Sequence, residues 1–299
     1  MHRWWESLWL LLLYTFIFSV GISLLVLAID YLGHGASGFF SVGGSRAKVS
    51  FMSYAMLAAG TFGTFYLPAV YLQKRESYFN YFPSVGSGKL FFYVLAAGLL
   101  FAFSPLMEYI GQWNAGMHLP DSLRGVELWM REQEDSSADL IASIVMVDSV
   151  WLVLINILVL AVFPAVAEEY YFRGTLMHIF GRMVNNTHVS IWLTAIIFSA
   201  IHVQFFGFFP RMLLGAFFGY LLLWTKNIWV SIVAHFVNNA SVTVLAFYYC
   251  RQGKSFEDLQ SYDNYSVFVY LGSFMVSMVI LIYMYKRSKG DKSYGERMD

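Results

Sequence analysis

The chain has 299 residues, of which 58% are hydrophobic and 13% are charged. Soluble domains carry about 25% charged residues, so this chain lacks the polar surface of a water-soluble fold. Nineteen basic and nineteen acidic side chains leave no net charge, which argues against a nucleic-acid partner. We therefore expect an all-α protein, a polytopic bundle of transmembrane helices whose surroundings are the lipid bilayer.

Apolar stretches of about 20 residues, the length that crosses a bilayer, predict about eight spans. They lie at 8–29, 50–73, 90–110, 144–166, 189–206, 210–225, 228–249 and 266–285. One helix over 144–183 would reach about 60 Å, twice the hydrocarbon thickness, and Pro164 predicts a kink in it. Segment 123–130 fits a short surface helix or a solvated loop equally well.

The distribution of basic residues predicts the orientation. Eight spans place both termini on one side, and that side would carry twelve Lys and Arg residues against seven on the other. The long connection 111–141 is acidic, as expected of an outer loop. We predict a multi-pass protein, of the plasma membrane, with both termini cytoplasmic.

Ionisable residues within apolar spans are costly and typically functional, and the first such group contains Glu168, Glu169 and Arg173. Glu169 and Arg173 are four residues apart with the acid first, the favourable order for an ion pair on a helix. Glu168 is rotated by about 100° from that pair and stays free of it. A free buried carboxylate is suited to be a general base. An ion-pair cluster at a span end is the alternative.

Two further polar groups follow. Phe198 lies one turn before His202 and is expected to pack beside its ring, although a simple core histidine is the alternative. His235 and Asn239 share a helix face and can donate hydrogen bonds into one cavity, whereas polar contacts between helices are the alternative. Asn238 is predicted to point elsewhere and to make such a contact.

Depth in the membrane is consistent with a common site. Counting 1.5 Å per residue from the predicted cytoplasmic edge, Glu168 and His202 each lie about 20 Å deep, and His235 lies about 13 Å deep. We therefore expect the three side chains to converge in the cytoplasmic half of the membrane or near its midplane.

Together these groups resemble the CAAX-processing and bacteriocin-immunity (CPBP) family of intramembrane proteases, of the prenyl-protein endopeptidase type. The family motifs E-E-x-x-x-R, F-x-x-x-H and H-x-x-x-N read here as Glu168-Glu169-x-x-x-Arg173, Phe198-x-x-x-His202 and His235-x-x-x-Asn239. The resemblance covers about 150–250. It divides the chain into a variable transmembrane region at 1–140, a CPBP-like core at 141–250, and a last span with a cytoplasmic tail at 251–299.

Three residues between the histidines, Arg211, Gly215 and Gly219, also look like the family pattern. The two glycines have an independent explanation as a small-residue contact between helices.

The resemblance implies an intramembrane endopeptidase that acts on a membrane-associated protein or peptide, of a lipidated, CAAX-like kind. For this reaction we assign Glu168 to activate water, His202 to help to position it, and His235 and Asn239 to donate hydrogen bonds to the oxyanion. The implied site is Glu168, Glu169, Arg173, His202, His235 and Asn239, with the ion pair as support. Non-catalytic alternatives are an immunity or scaffold protein and, less favoured, a proton-coupled transporter.

The sequence is compatible with a reaction that uses a metal ion and with one that does not. Two histidines and a carboxylate make an open zinc site, so Glu168, His202 and His235 are candidate ligands of a divalent metal such as zinc. No H-E-x-x-H pair is present on one helix, and we favour a mechanism with no cofactor.

Overall fold

The computed structural model describes residues 2–34, 51–84, 89–261 and 263–290. These ranges are helical and contain no strand, which confirms the predicted all-α bundle. The helices are α1 (Trp4–His34), α2 (Met52–Arg75), α3 (Leu90–Ala115), α4 (Arg124–Val145), α5 (Val150–Val184), α6 (Thr187–Ala200), α7 (Phe208–Thr225), α8 (Ile228–Arg251), α9 (Phe256–Gln260) and α10 (Val267–Gly290). Outside the described residues lie position 50 of the second predicted span, the tail from 291 and four basic residues used for orientation, Arg46, Lys48, Lys292 and Arg297.

Within the described ranges, seven helices are long and apolar enough to cross a membrane, namely α1, α2, α3, α5, α7, α8 and α10. The remaining predicted span, at 189–206, corresponds to α6, which has only 14 residues. Helix α6 still joins the two ends of the bundle. Asn186, just before α6, lines a cavity together with Lys226 at one end of the bundle. At the other end of the bundle, the N–H of Phe206, a few residues after α6, donates to Glu134.

Helix α5 is a single helix of 35 residues that contains two π-helical segments, at Ile157–Val162 and Glu169–Leu176. Pro164 follows the first segment and has no N–H to donate to the Leu160 carbonyl four residues earlier. The wider π turn absorbs this defect without ending the helix. The second segment carries Glu169 and Arg173, and π segments are frequent at functional sites.

Helix α4 is an amphipathic helix of 22 residues, so the segment left open between helix and loop is helical. It is fixed at its start by Glu127, which accepts hydrogen bonds from the Leu119 N–H, from Arg131 and from His118. These donors lower the pKa of Glu127 to about 2. The helix lies at the end of the bundle that carries Phe206, where the Arg131 guanidinium sits 4.0 Å from the ring centroid.

Helices α6 and α7 approach each other closely at two glycines. A Cβ on Gly215 would lie 3.3 Å from Ala195, and a Cβ on Gly219 would lie 2.9 Å from Ile191. The predicted small-residue contact is therefore present. At the same position of α7, the Gly215 carbonyl accepts a hydrogen bond from Arg173 of α5.

Candidate active site

A cavity of about 680 Å³ lies between α3, α5, α7 and α8. Four of the six predicted site residues line it: Glu168, His202, His235 and Asn239. The other two, Glu169 and Arg173, are buried behind it and are 0% and 1% exposed. Most of the remaining wall is apolar and includes Leu99, Phe103, Met107, Leu214, Phe217 and Leu281. The cavity thus combines a small polar patch with a large apolar surface.

The predicted ion pair is present. Nη1 of Arg173 donates to Oε1 of Glu169 at 2.8 Å, and Nη2 donates to the Gly215 carbonyl at 3.0 Å. The same Glu169 oxygen lies 2.9 Å from Nδ1 of His235. Because Arg173 is a permanent cation, its partner is a carboxylate, which only accepts hydrogen bonds. Nδ1 of His235 therefore carries a proton, and the ring presents Nε2 to the cavity.

Glu168 faces this second nitrogen. Its Oε2 lies 3.8 Å from Nε2 of His235, which is too long for a direct hydrogen bond. A water molecule at ordinary hydrogen-bond distance from both atoms fits across such a gap. The His235 ring is held in this direction by stacking on Phe218, with centroids 5.0 Å apart and planes at 17°.

His202 does not lie within a helix as predicted, but in the turn that follows α6. The turn reverses the chain at Val203, whose φ of 54° is in the left-handed region. That conformation is strained for a β-branched residue, and such strain is frequent at functional sites. Nδ1 of His202 donates to the Phe198 carbonyl at 2.7 Å, and the Phe198 ring packs 5.1 Å from the imidazole, as expected. In the neutral ring, Nε2 is left as an acceptor.

Asn239 is oriented by the defect in α5. Its Nδ2 donates at 3.3 Å to the Leu160 carbonyl, which receives no helix hydrogen bond from Pro164 because proline has no N–H. Its Oδ1 accepts from Nδ2 of Asn238 at 3.1 Å. Asn238 also lines the cavity, so the prediction that it points elsewhere is wrong: the cavity is wide enough to meet both neighbouring faces of α8. Each amide keeps one further N–H for a ligand.

Two charged side chains in the cavity were not assigned to the site from sequence. Arg211 was noted only as part of the family pattern, yet it lines the cavity and donates to Oε1 of Gln204. Glu108, an acid late in the predicted third span, also lines the cavity, and its Oε2 has no partner among the described residues. An ionisable residue in an apolar span is the signal that identifies both.

The candidate metal ligands do not form a preformed site. Among the described residues, no group of three or more His, Cys, Asp and Glu side chains is placed to hold a metal ion. Glu168, His202 and His235 share the cavity, and Nδ1 of each ring is bonded within the protein, so Nε2 is the ring nitrogen left for a ligand.

Residues 150–241 match the family model of the type II CAAX prenyl endopeptidase Rce1-like proteins. This segment is therefore similar to the Rce1-like proteins. The resemblance recognised from the three motifs is thereby confirmed, and at the level of the family it supports a CAAX-type intramembrane protease. All six predicted site residues lie within the Rce1-like segment.

One curated relative is similar to part of the chain. The uncharacterized protein YpbD of Bacillus subtilis (strain 168) is 28% identical over 116 residues, which cover 37% of this chain and 57% of that protein. The chain thus matches little more than half the length of this relative. No solved structure shows a significant match.

Proposed function

We propose that the protein is an intramembrane endopeptidase that hydrolyses a peptide bond of a membrane-associated, lipidated CAAX-like protein or peptide through water activated by Glu168. One observation carries the proposal: Oε2 of Glu168 and Nε2 of His235 face each other across 3.8 Å in a cavity whose other walls are largely apolar. A carboxylate and an imidazole at this separation suit the activation of water, and the apolar walls suit a substrate that arrives from lipid.

In the proposed reaction Glu168 takes one proton from a water held in this gap, and the resulting hydroxide attacks the scissile carbonyl carbon. When the His235 ring carries both protons, its Nε2 donates to the water oxygen, and Nε2 of His202 accepts the second hydrogen of the water and so orients it. When the tetrahedral intermediate collapses, the carbon–nitrogen bond breaks and Glu168 returns its proton to the leaving amine. The carboxylate is then restored for the next cycle.

The developing oxyanion requires donors. The free N–H of Asn239 is one, and Nε2 of His235 is a second when the ring carries both protons. Removing one such donor typically lowers the rate by 10²–10³-fold, about 3–4 kcal/mol. Glu169 and Arg173 act as positioning residues because they hold the His235 ring from behind the cavity.

Two other functions use the same cavity. A scaffold or immunity protein would bind a partner there without needing the ionised oxygen of Glu168. A proton-coupled transporter would use Glu168 and His235 as a relay and would move a solute. Cleavage that requires Glu168 separates the proposed function from the scaffold, and solute uptake by the purified protein in liposomes would favour the transporter.

The proposal is tested by comparing the membrane proteomes of cells that produce the wild type, Glu168→Ala, or the matched surface control Glu132→Ala. We expect at least one membrane protein to be shortened in the wild type and the control but full-length with Glu168→Ala. Equal protein levels are first checked by immunoblot. Identical proteomes for the wild type and Glu168→Ala would reject the enzymatic proposal.

A further inference from the structure

A second cavity, of about 280 Å³, lies at the opposite end of the bundle from α4. It forms where α5 ends, α6 begins and α7 turns into α8. Its lining is polar and basic and includes His178, Arg182, Asn185, Asn186, Thr187 and Lys226. None of the residues assigned above to water activation or to the oxyanion lines it.

Among the residues that the structure describes, the lining contains cations but no carboxylate. Two acids that bond lining residues are already engaged: Glu169 is paired with Arg173, and Glu76 accepts hydrogen bonds from Ser7 and from Tyr81. Lys226 is half-buried at the left-handed end of α7, and burial lowers its pKa, with no carboxylate to offset the effect. An ammonium held in this way gains from a bound anion.

Uncharged donors complete the lining. Nε2 of His178 is buried and has no hydrogen-bond partner among the described residues, which is unusual for a buried ring nitrogen. Thr187 is the first residue of α6, a 14-residue helix whose amino end carries partial positive charge, and Asn185 is the left-handed residue between α5 and the N-cap of α6.

We propose that this cavity binds a phosphate group, carried either by an anionic lipid headgroup or by a free phosphate. Arg182 and Lys226 supply the charge, and His178, Asn185 and Thr187 supply hydrogen bonds. The volume of about 280 Å³ accommodates a phosphate and part of the group that carries it. The proposal is independent of the proteolytic function.

The site is also linked to the catalytic cavity. Arg173 lines the second cavity while its guanidinium pairs with Glu169, which orients His235. Arg173 therefore belongs both to the lining of the second cavity and to the ion pair that supports the imidazole. Occupancy is expected to stabilise this part of the bundle.

The experiment measures binding of inorganic phosphate and thermal stability for the full chain in nanodiscs of phosphatidylcholine, with and without phosphatidylglycerol. Chloride at equal ionic strength is the reference. A response to phosphate in neutral discs identifies a free anion as the ligand, whereas stabilisation by phosphatidylglycerol alone identifies a lipid headgroup. In either arm, Arg182→Gln/Lys226→Gln is expected to weaken the response at least about tenfold.

The matched control is Lys286→Gln, which removes an exposed cation from α10 at the same end of the bundle and should respond like the wild type. If the double variant does not fold, Arg182→Gln alone serves, because this side chain is exposed. The inference is overturned if the wild type responds to neither probe beyond chloride, or if the substituted and control proteins respond equally.

Discussion

Glu169 accepts a hydrogen bond from Nδ1 of His235 at 2.9 Å, across 66 residues of sequence and between α5 and α8. The carboxylate of the predicted ion pair therefore also orients the imidazole of the third motif. This contact separates the roles of two adjacent acids. Glu169 is buried and bonded on the inner side, while Glu168 faces the cavity across from Nε2 of the same ring.

Substitution by Gln should lower the melting temperature at position 169 and leave it unchanged at position 168. Glu169→Gln leaves the buried Arg173 charge without its partner, a defect that typically costs about 3–5 kcal/mol. Glu168→Gln removes no ion pair of this kind and should keep the melting temperature of the wild type while abolishing cleavage. Thermal unfolding of the purified variants checks this. Equal destabilisation by both substitutions would contradict the assignment.

His202→Asn tests the two nitrogens of this ring separately. The amide of Asn places an N–H near the position of Nδ1, so the bond to the Phe198 carbonyl is expected to persist. The acceptor at Nε2 is lost, and cleavage should fall by about 10²–10⁴-fold at nearly unchanged melting temperature. If the melting temperature of His202→Asn falls while its cleavage rate per folded molecule stays at the wild-type value, His202 has only a structural role.

Gly219→Ala tests the close approach of α6 and α7. The new Cβ would lie 2.9 Å from Ile191, and overpacking of this kind costs about 1–3 kcal/mol. Gly98→Ala in α3 is the matched control, because its Cβ meets nothing within 4 Å and Ala favours a helix by about 0.5–1 kcal/mol. Melting temperatures should fall for the first and hold or rise for the second; the reverse order would exclude the close contact.

Glu134→Gln tests the contact between α4 and the segment after α6, where the Phe206 N–H donates to Glu134. Burial raises the pKa of Glu134 above its ordinary 4.5, although the Phe206 N–H and the Arg211 charge act in the opposite direction. The folded protein therefore binds this proton more tightly than the unfolded chain, so the wild type loses stability as pH rises above about 4.5 through the folded pKa.

Gln cannot ionise and still accepts the Phe206 hydrogen bond. The melting temperature of Glu134→Gln relative to the wild type is thus expected to increase from acid to neutral pH. Glu132→Gln, on the exposed side of α4, serves as the control. A relative melting temperature that falls as pH rises would contradict the burial of Glu134.

Much of the fold and part of the site followed from regular spacing. Apolar length predicted seven of the membrane-spanning helices. The four-residue spacing predicted the bond between Glu169 and Arg173, and the one-turn spacing predicted the contact of Phe198 with His202. These features depend on one helix at a time, and helical geometry is periodic.

Contacts between distant segments were not predictable in this way. The bond from Asn239 to the Leu160 carbonyl depends on a missing N–H at Pro164 and on the π turn before it. The turn that carries His202 depends on a left-handed Val203, which residue preferences argue against. The role of Asn238 depends on the width of the cavity. Each of these arises from tertiary packing and has no periodic signal.

The most direct test of the shared polar cavity is its access to water. In a Cys250→Ala background, His202→Cys and Asn239→Cys are each compared with Leu154→Cys, which lies on the outer face of α5 and is 52% exposed. A thiol reacts as its thiolate, which forms in water and not in lipid. We predict rapid labelling of both cavity positions by a membrane-impermeant thiol reagent and slow labelling at 154. Slow labelling at both cavity positions would contradict a water-containing active site.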